Sequence, residues 1–366
     1  MTLSEFSSQS IQDKEQQSKS YSLGIVGVRG YVGKELLALI LKHPYINIDW
    51  VSSRQLDGQS ISQLLDSDSD FSSEHDCLIS SLSAEQIATK TTDIIVLALP
   101  NGLAEPFVQA IEEAGNCKII IDLSADYRFD NQWIYSVPEL DGKALTSAHL
   151  KMQSASAQDS KCIKISNPGC YATAMQLVIA PLVELLSTAP NCFGVSGYSG
   201  AGTNPSPFND AENLKDNLIG YKLVEHLHEK EVSVRVEQAI RFSPHVASFF
   251  RGINMTVQFE FKQAQTADNL FKMINVFYKN HPLVNCQVET AEIKHIKNTN
   301  HCLMGGITVS EDGMRATIIS CLDNLLKGAA SQAVQNINLA LGLPSELAVY
   351  SQAENTTLKE HSGAQQ

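Results

Sequence analysis

Ser166-Asn167-Pro168-Gly169-Cys170-Tyr171-Ala172-Thr173 is the stretch on which the reading of this chain turns. A short apolar run, Cys162-Ile163-Lys164-Ile165, leads in, and a helical pattern from Met175 to Leu186 leads out. Pro168 and Gly169 break the backbone between them. The break predicts Cys170 at or next to the first helical turn, where free N–H groups and the positive end of the helix dipole gather. That setting is expected to lower a thiol pKa and to favour the thiolate, the nucleophilic form. The alternative is a small buried cysteine at a helix start, because free cysteines are among the most buried residues.

Working outward toward the N-terminus, strand-like and helical patterns alternate. Ser22 to Val26 reads as a buried strand, Gly27-Val28-Arg29-Gly30-Tyr31-Val32-Gly33 as a glycine loop, and Lys34 to Leu41 as a helix. In this order the glycines allow a tight turn and let a pyrophosphate approach the helix N-terminus. The spacing is G-x-x-G-x-x-G rather than the commoner G-x-G-x-x-G, and a glycine turn before a helix also serves packing. A second strand, Ile46 to Val51, ends at Ser52-Ser53-Arg54, where hydroxyls and an arginine suit a ribose 2′-phosphate and favour NADP. Asp57 keeps NAD open. Thr92 to Pro100 and Lys118 to Leu123 read as two more buried strands, with Leu103 to Ala114 a helix between them. Pro100-Asn101-Gly102 closes the first, at the strand end where parallel sheets bind ligands. Together these predict an α/β fold with a doubly wound parallel sheet. Residues 59–76 read as a solvated excursion, Tyr135 to Leu140 as a loop, and 141–160 as a polar connection.

The chain has 366 residues, enough for two domains, and a formal net charge of -13, which argues against nucleic acid or an anionic membrane as partner. Its 8 cysteines show no C-x-x-C pair, so neither a disulfide framework nor a structural zinc site is expected. No run approaches the length of a membrane span, and residues 1–20, rich in Ser and Gln, read as a disordered tail without a transit or secretory pattern. A cytoplasmic location is the expectation.

Beyond Cys170, Asn191 to Tyr198 reads as a strand entering the small-residue loop Ser199-Gly200-Ala201-Gly202, which passes near a cofactor or serves as a plain connector. His226-Leu227-His228-Glu229-Lys230-Glu231 offers a proton-transfer partner for a thiol; with no further His or Cys cluster it is not a metal site. Arg251, ahead of a strand from Ile253 to Phe261, suits bidentate capture of a substrate carboxylate or an ordinary ion pair. A closing helix starts after Asp323-Asn324 and carries Lys327-Gly328-Ala329-Ala330.

Six motifs in order make the chain resemble the N-acetyl-γ-glutamyl-phosphate reductase family of arginine biosynthesis. They are Ala98-Leu99-Pro100-Asn101-Gly102, Asp122 to Arg128, Pro168-Gly169-Cys170-Tyr171, Gly194 to Gly202, Pro244-His245 with Arg251-Gly252, and Asp323 to Ala330. The resemblance runs from about residue 21 to the last helix. It implies a Rossmann domain over 21–165, completed by a C-terminal helix in 322–350, and an α+β catalytic and dimerisation domain over 166–321. It also implies NADPH as cofactor, a small-molecule substrate, and a homodimer or homotetramer. Under it Cys170 attacks the acyl phosphate, expels phosphate and carries a thioester that hydride reduces to the semialdehyde, with His228 handling the proton. The expected cofactor set is Gly27, Gly30, Tyr31, Gly33, Ser52, Arg54, Pro100, Ser199, Gly200 and Asn324. The expected substrate set is Arg128, Arg251, His226 and Glu231. The family's H-R-H-x-P-E motif lacks its arginine and proline here, which leaves open which histidine carries the proton; His228 is preferred as the one nearer the acidic group. Aspartate-semialdehyde dehydrogenase is the nearest rival. N-succinyl and carrier-bound aminoadipyl phosphates also stay open, because no residue can be picked out as reading the acyl cap.

Overall fold

A computed structural model describes residues 20–65, 76–154 and 162–351. Nearly all of the N-terminal tail, the middle of the 59–76 excursion, the end of the 141–160 connection and the segment after Ser351 lie outside these residues.

The first domain runs β1 (Tyr21–Val26), α1 (Tyr31–Ile40), β2 (Ile46–Ser52), α2 (Ala84–Ala88), β3 (Ile94–Leu97), α3 (Glu105–Ala114), β4 (Ile119–Asp122), β5 (Ile134–Tyr135), α4 (Pro138–Ser154) and β6 (Ile163–Ser166). Its six strands lie in the order β2-β1-β3-β4-β6-β5, all parallel. Unbroken runs such as Ile94-Ile95-Val96-Leu97 take the centre because helices cover both faces, so every position is buried. Two readings need correction. The loop signal at 135–140 and the connection after it become β5 and the 17-residue helix α4. The pattern hid this helix because its inward face is partly polar: Glu139 and His149 are buried, and their partners come from the far end of the chain. The 59–76 excursion also contributes Ile61 to the core, fully buried.

The second domain opens with α5 (Cys170–Ile179), buried at every position from Tyr171 onward. A helix hydrophobic all round belongs inside a protein, and α5 lies between the second sheet and the closing element. The expected helix to Leu186 is instead divided, because a 3-10 turn, Ala180–Leu185, follows it. Pro181 lacks the N–H that an α-helix needs there. Then come β7 (Asn191–Gly197), β8 (Leu218–Gly220), α6 (Leu227–Arg235), β9 (Arg241–Ala247), β10 (Ile253–Glu260), α7 (Ala267–Phe277), β11 (Val284–Cys286), β12 (Cys302–Val309) and β13 (Arg315–Leu322). These seven strands form a mixed sheet, β11-β12-β13-β10-β7-β9-β8.

After β13 the chain returns. A π-helical turn, Leu326–Ala330, leads into α8 (Ser331–Ala340). Ala333, Val334 and Ile337 of α8 share one apolar cluster with Leu36, Leu37 and Ile40 of α1 and Leu145 of α4. The last helix thus completes the first domain's core. No helix among the described residues is long and apolar enough to cross a membrane.

Candidate active site

Cys170 is the first residue of α5. Gly169 holds the N-cap position in extended backbone (φ -73, ψ 151) with no side-chain cap, so the first turn's N–H groups stay directed at the sulfur's surroundings. The space around Gly169 is taken by two functional side chains. A Cβ built on it would fall 2.2 Å from Nε2 of His228 and 2.7 Å from Nη1 of Arg128. An imidazole and a guanidinium therefore press on the peptide that carries the thiol.

The electrostatics reverse one expectation from the sequence. The helix start does not leave Cys170 with a lowered pKa; burial pushes its thiol up to about 11. The Tyr171 N–H and the Arg128 charge pull the other way, and Glu231 pushes up with burial. Desolvation wins even though Cys170 is only partly buried, because the packing around it disfavours a charged form. The same burial, helped by Arg128 and His226, holds His228 well below the ordinary histidine range. Nδ1 of His228 is buried with no hydrogen-bond partner among the described residues, so no carboxylate backs an imidazolium. The resting pair is thiol plus neutral imidazole, and the imidazole can accept a proton when the sulfur attacks.

His226 has a different place. It caps α6, its Nδ1 accepting the N–H of His228 at 3.1 Å, with its ring against Tyr221, Phe242 and His228. Burial holds its pKa down at about 4. The preference for His228 therefore rests on its contact with Gly169, not on the acidic group, because Glu231 makes no bond to it. Oε1 of Glu231 accepts the Gly169 N–H at 2.9 Å and the Tyr135 hydroxyl at 2.8 Å, and Oε2 accepts Nη1 of Arg128 at 3.0 Å. Arg128 also donates from Nε to the Asn167 carbonyl at 3.0 Å. Both side chains, expected on the substrate, are already engaged. Losing one partner of such a buried pair typically costs about 3–5 kcal/mol.

Arg251 is likewise engaged, with Glu35 of α1 at 2.8 Å and Asp323 at 2.6 Å. The ion-pair alternative fits it, and the pair ties the cofactor-side helix to the catalytic domain. Asn324 accepts the Gly252 N–H at 2.7 Å and donates to Ser199 Oγ at 2.9 Å, so these two hold loops to each other. Gly200 is exposed beside them. Sequence reading missed Tyr135 and the fully buried ion pair of Lys327 with Glu139 at 2.6 Å. Their partners lie 96 and 188 residues away, so no local pattern signals them.

The glycine loop between β1 and α1 is folded tightly against its neighbours. Gly27 adopts φ 94, and a Cβ there would sit 2.3 Å from the Ala98 carbonyl oxygen. Gly33 is buried in the first turn of α1, and a Cβ on it would lie 2.7 Å from the Gly27 oxygen. Gly30 caps α1 in extended backbone with no side-chain cap, leaving the first-turn N–H groups to an anion. Tyr31 follows, edge-on to Phe250 at 5.2 Å. At the end of β2, Ser52 Oγ accepts the Leu82 N–H, Asp57 accepts the Ser81 N–H at 2.7 Å, and Arg54 is exposed. Pro100 lies exposed at the mouth of the sheet, above an Asp126 carboxylate that accepts the Gly102 N–H at 2.7 Å. Among the described residues no group of His, Cys, Asp or Glu is placed to hold a metal ion.

A parallel sheet with a glycine loop joined to a partly buried thiol and a neutral imidazole is the plan of the dinucleotide-dependent enzymes that work through a cysteine. Residues 22–148 match the semialdehyde dehydrogenase NAD binding domain, and residues 170–324 the semialdehyde dehydrogenase dimerisation domain. An N-acetyl-gamma-glutamyl-phosphate reductase of Stenotrophomonas maltophilia is 46% identical over 88% of this chain and 96% of its own. Protein arg11, mitochondrial, of Schizosaccharomyces pombe is 41% identical over 90% of this chain and 35% of its own length. Among solved structures, aspartate semialdehyde dehydrogenase II of Vibrio cholerae superposes with a TM-score of 0.69 at 16% identity, covering 89% of this chain and 99% of that one. That likeness speaks for the fold. The chain belongs to the semialdehyde dehydrogenase family, among its N-acetyl-gamma-glutamyl-phosphate reductases.

Proposed function

We propose that this chain reduces N-acetyl-γ-glutamyl phosphate to N-acetylglutamate 5-semialdehyde and phosphate, with NADPH as the reductant. One observation carries the reading: Gly169, the residue before Cys170, is wedged against a neutral His228 at the helix start. His228 takes the thiol proton as Cys170 attacks the acyl carbon. Phosphate leaves with the acyl–oxygen bond and a thioester forms. Backbone N–H groups of the first turn of α5 face the oxygen that gains charge. NADPH, when bound, supplies the hydride that the thioester carbon needs. Cys170 then departs from the tetrahedral carbon as thiolate, and the protonated His228 returns a proton to it.

The loop Gly27–Gly33 and the uncapped start of α1 hold the pyrophosphate in this reading. Arg54 holds the 2′-phosphate, a role Asp57 is less able to oppose while its carboxylate is bonded to the Ser81 N–H. Ser199, Gly200 and Pro100 border the cofactor. The outer face of the mixed sheet, where Phe193 stays 42% exposed beside His245, is where a second copy docks to form a homodimer or homotetramer. A cytoplasmic location suits the free thiols.

The test is phosphate-dependent reduction of NADP by the purified protein. N-acetylglutamate semialdehyde should support turnover and aspartate semialdehyde should not. Turnover with the second alone, or with neither, overturns the assignment.

A further inference from the structure

We propose that Glu231 is a positioning residue for the nucleophile, and that with Arg128 and Tyr135 it fixes the Asn167–Pro168–Gly169 backbone leading into Cys170 instead of touching substrate. The inference rests on the reading of Cys170 as the attacking group.

Both oxygens of Glu231 are already used. Oε1 takes the Gly169 N–H and the Tyr135 hydroxyl, Oε2 takes Arg128, and the residue is 1% exposed. Three of its acceptor sites are taken inside the protein and its side chain is fully enclosed, which keeps it from a small molecule. Each of its partners also reaches back to the same piece of chain. Tyr135 accepts Nε2 of Gln176, in the second turn of α5, at 2.6 Å. Arg128 holds the Asn167 carbonyl, so the guanidinium grips the peptide before the Pro168 break and the carboxylate grips the one after it. A hydrogen bond to an ionised acceptor is the strong kind. Rigid placement matters here because a 1 Å misplacement of a reacting group costs on the order of a hundredfold in rate.

The ionisable groups around the sulfur are Arg128, Glu231, His228 and the phenols of Tyr171 and Tyr221. Arg128 and Glu231 oppose one another at Cys170. Neutralising Glu231 therefore loosens the peptide and at the same time leaves the Arg128 charge unopposed beside the thiol.

The experiment compares Glu231→Gln and Tyr135→Phe in the full chain. It reads kcat and KM of the reductase reaction, and the rate of Cys170 alkylation by iodoacetamide against pH with no substrate present. Glu231→Gln should lower kcat by about 10- to 100-fold with KM within about twofold, and should move the alkylation midpoint to lower pH. Tyr135→Phe removes a hydroxyl but no charge, so kcat should fall about threefold with the midpoint unmoved. A rise in KM with kcat kept and an unmoved midpoint in Glu231→Gln would make the residue a substrate contact and overturn the proposal. If Glu231→Gln does not fold, a wild-type kcat in Tyr135→Phe overturns it. Should the wild type turn over none of the substrates, the function falls, yet the alkylation arm still decides the role of Glu231.

Discussion

Two helices in this molecule begin in the same way and do opposite things. α1 and α5 each follow a parallel strand, each is capped by a glycine in extended backbone, and neither has a side-chain cap. Both therefore offer free N–H groups and a positive dipole end. At α1 the surroundings are half-open, and an anion arriving from solvent is the natural partner. At α5 every residue after Cys170 is buried, and the environment raises the thiol pKa rather than lowering it. The dipole is worth about 0.3–1 kcal/mol at a typical site. That is small beside the desolvation of a buried charge, so burial and not the helix start sets the protonation state. The chemistry proposed for α5 then needs a base, and His228 packs against Gly169, one residue before the thiol.

Substitutions can break or sharpen this contrast. The largest effect is expected from Cys170→Ser, which should cut reduction by about a thousandfold or more while NADPH binding at α1 persists, as read by fluorescence titration. Near-native turnover would remove α5 from the chemistry. Next comes a matched pair of glycine changes. Gly169→Ala drives a methyl into His228 and Arg128 and should lose about a hundredfold in kcat. Gly30→Ala, whose nearest neighbour is the Gly27 oxygen at 3.7 Å, should leave the thermal midpoint within about 2 °C of wild type. Equal damage from both would erase the distinction. Arg54→Ala is smaller and bears on α1 alone: the ratio of NADP to NAD affinity should fall about tenfold.

The smallest effect is on stability against pH. Burial lowers the pKa of His43 and His228, and takes His226 and His301 to about 4. Above about pH 6.5, the ordinary histidine value, these rings are neutral folded or unfolded. As pH falls below it, the unfolded chain takes up protons that the folded one refuses, and stability is lost. Asp122, raised to about 6 by burial, works the other way between 6 and the ordinary carboxylate range. Asp141, also raised by burial, acts in the same sense as Asp122; four rings outweigh two carboxylates, so the urea midpoint should drop between pH 7 and pH 5. A flat or rising midpoint would show that these imidazoles are not held neutral.

What the sequence disclosed follows from range. The buried strands, the glycine loop and the Pro168-Gly169 break act through neighbours along the chain, and their periodicity and break residues are visible. The helix at Pro138–Ser154 was not, because its inward face carries Glu139 and His149, which look like solvent-facing residues until Lys327 and Ala340 are brought to them. Arg251 was legible as a cation with a carboxylate in its future, but not that the carboxylates are Glu35 and Asp323, 216 and 72 residues away. The place of the thiol at a helix start was legible. Its protonation was not, since burial is a property of the assembled fold.

Gly328 carries a last consequence. A Cβ on it would lie 2.7 Å from Cβ of Cys170, so the returning segment seals one side of the thiol. A chain emerging from a ribosome folds its N-terminal parts first. Cys170 leaves the tunnel some 158 residues before the glycine that packs against it (328 minus 170). During synthesis Cys170 thus stays open on that side until the returning segment has followed it and Gly328 packs against it.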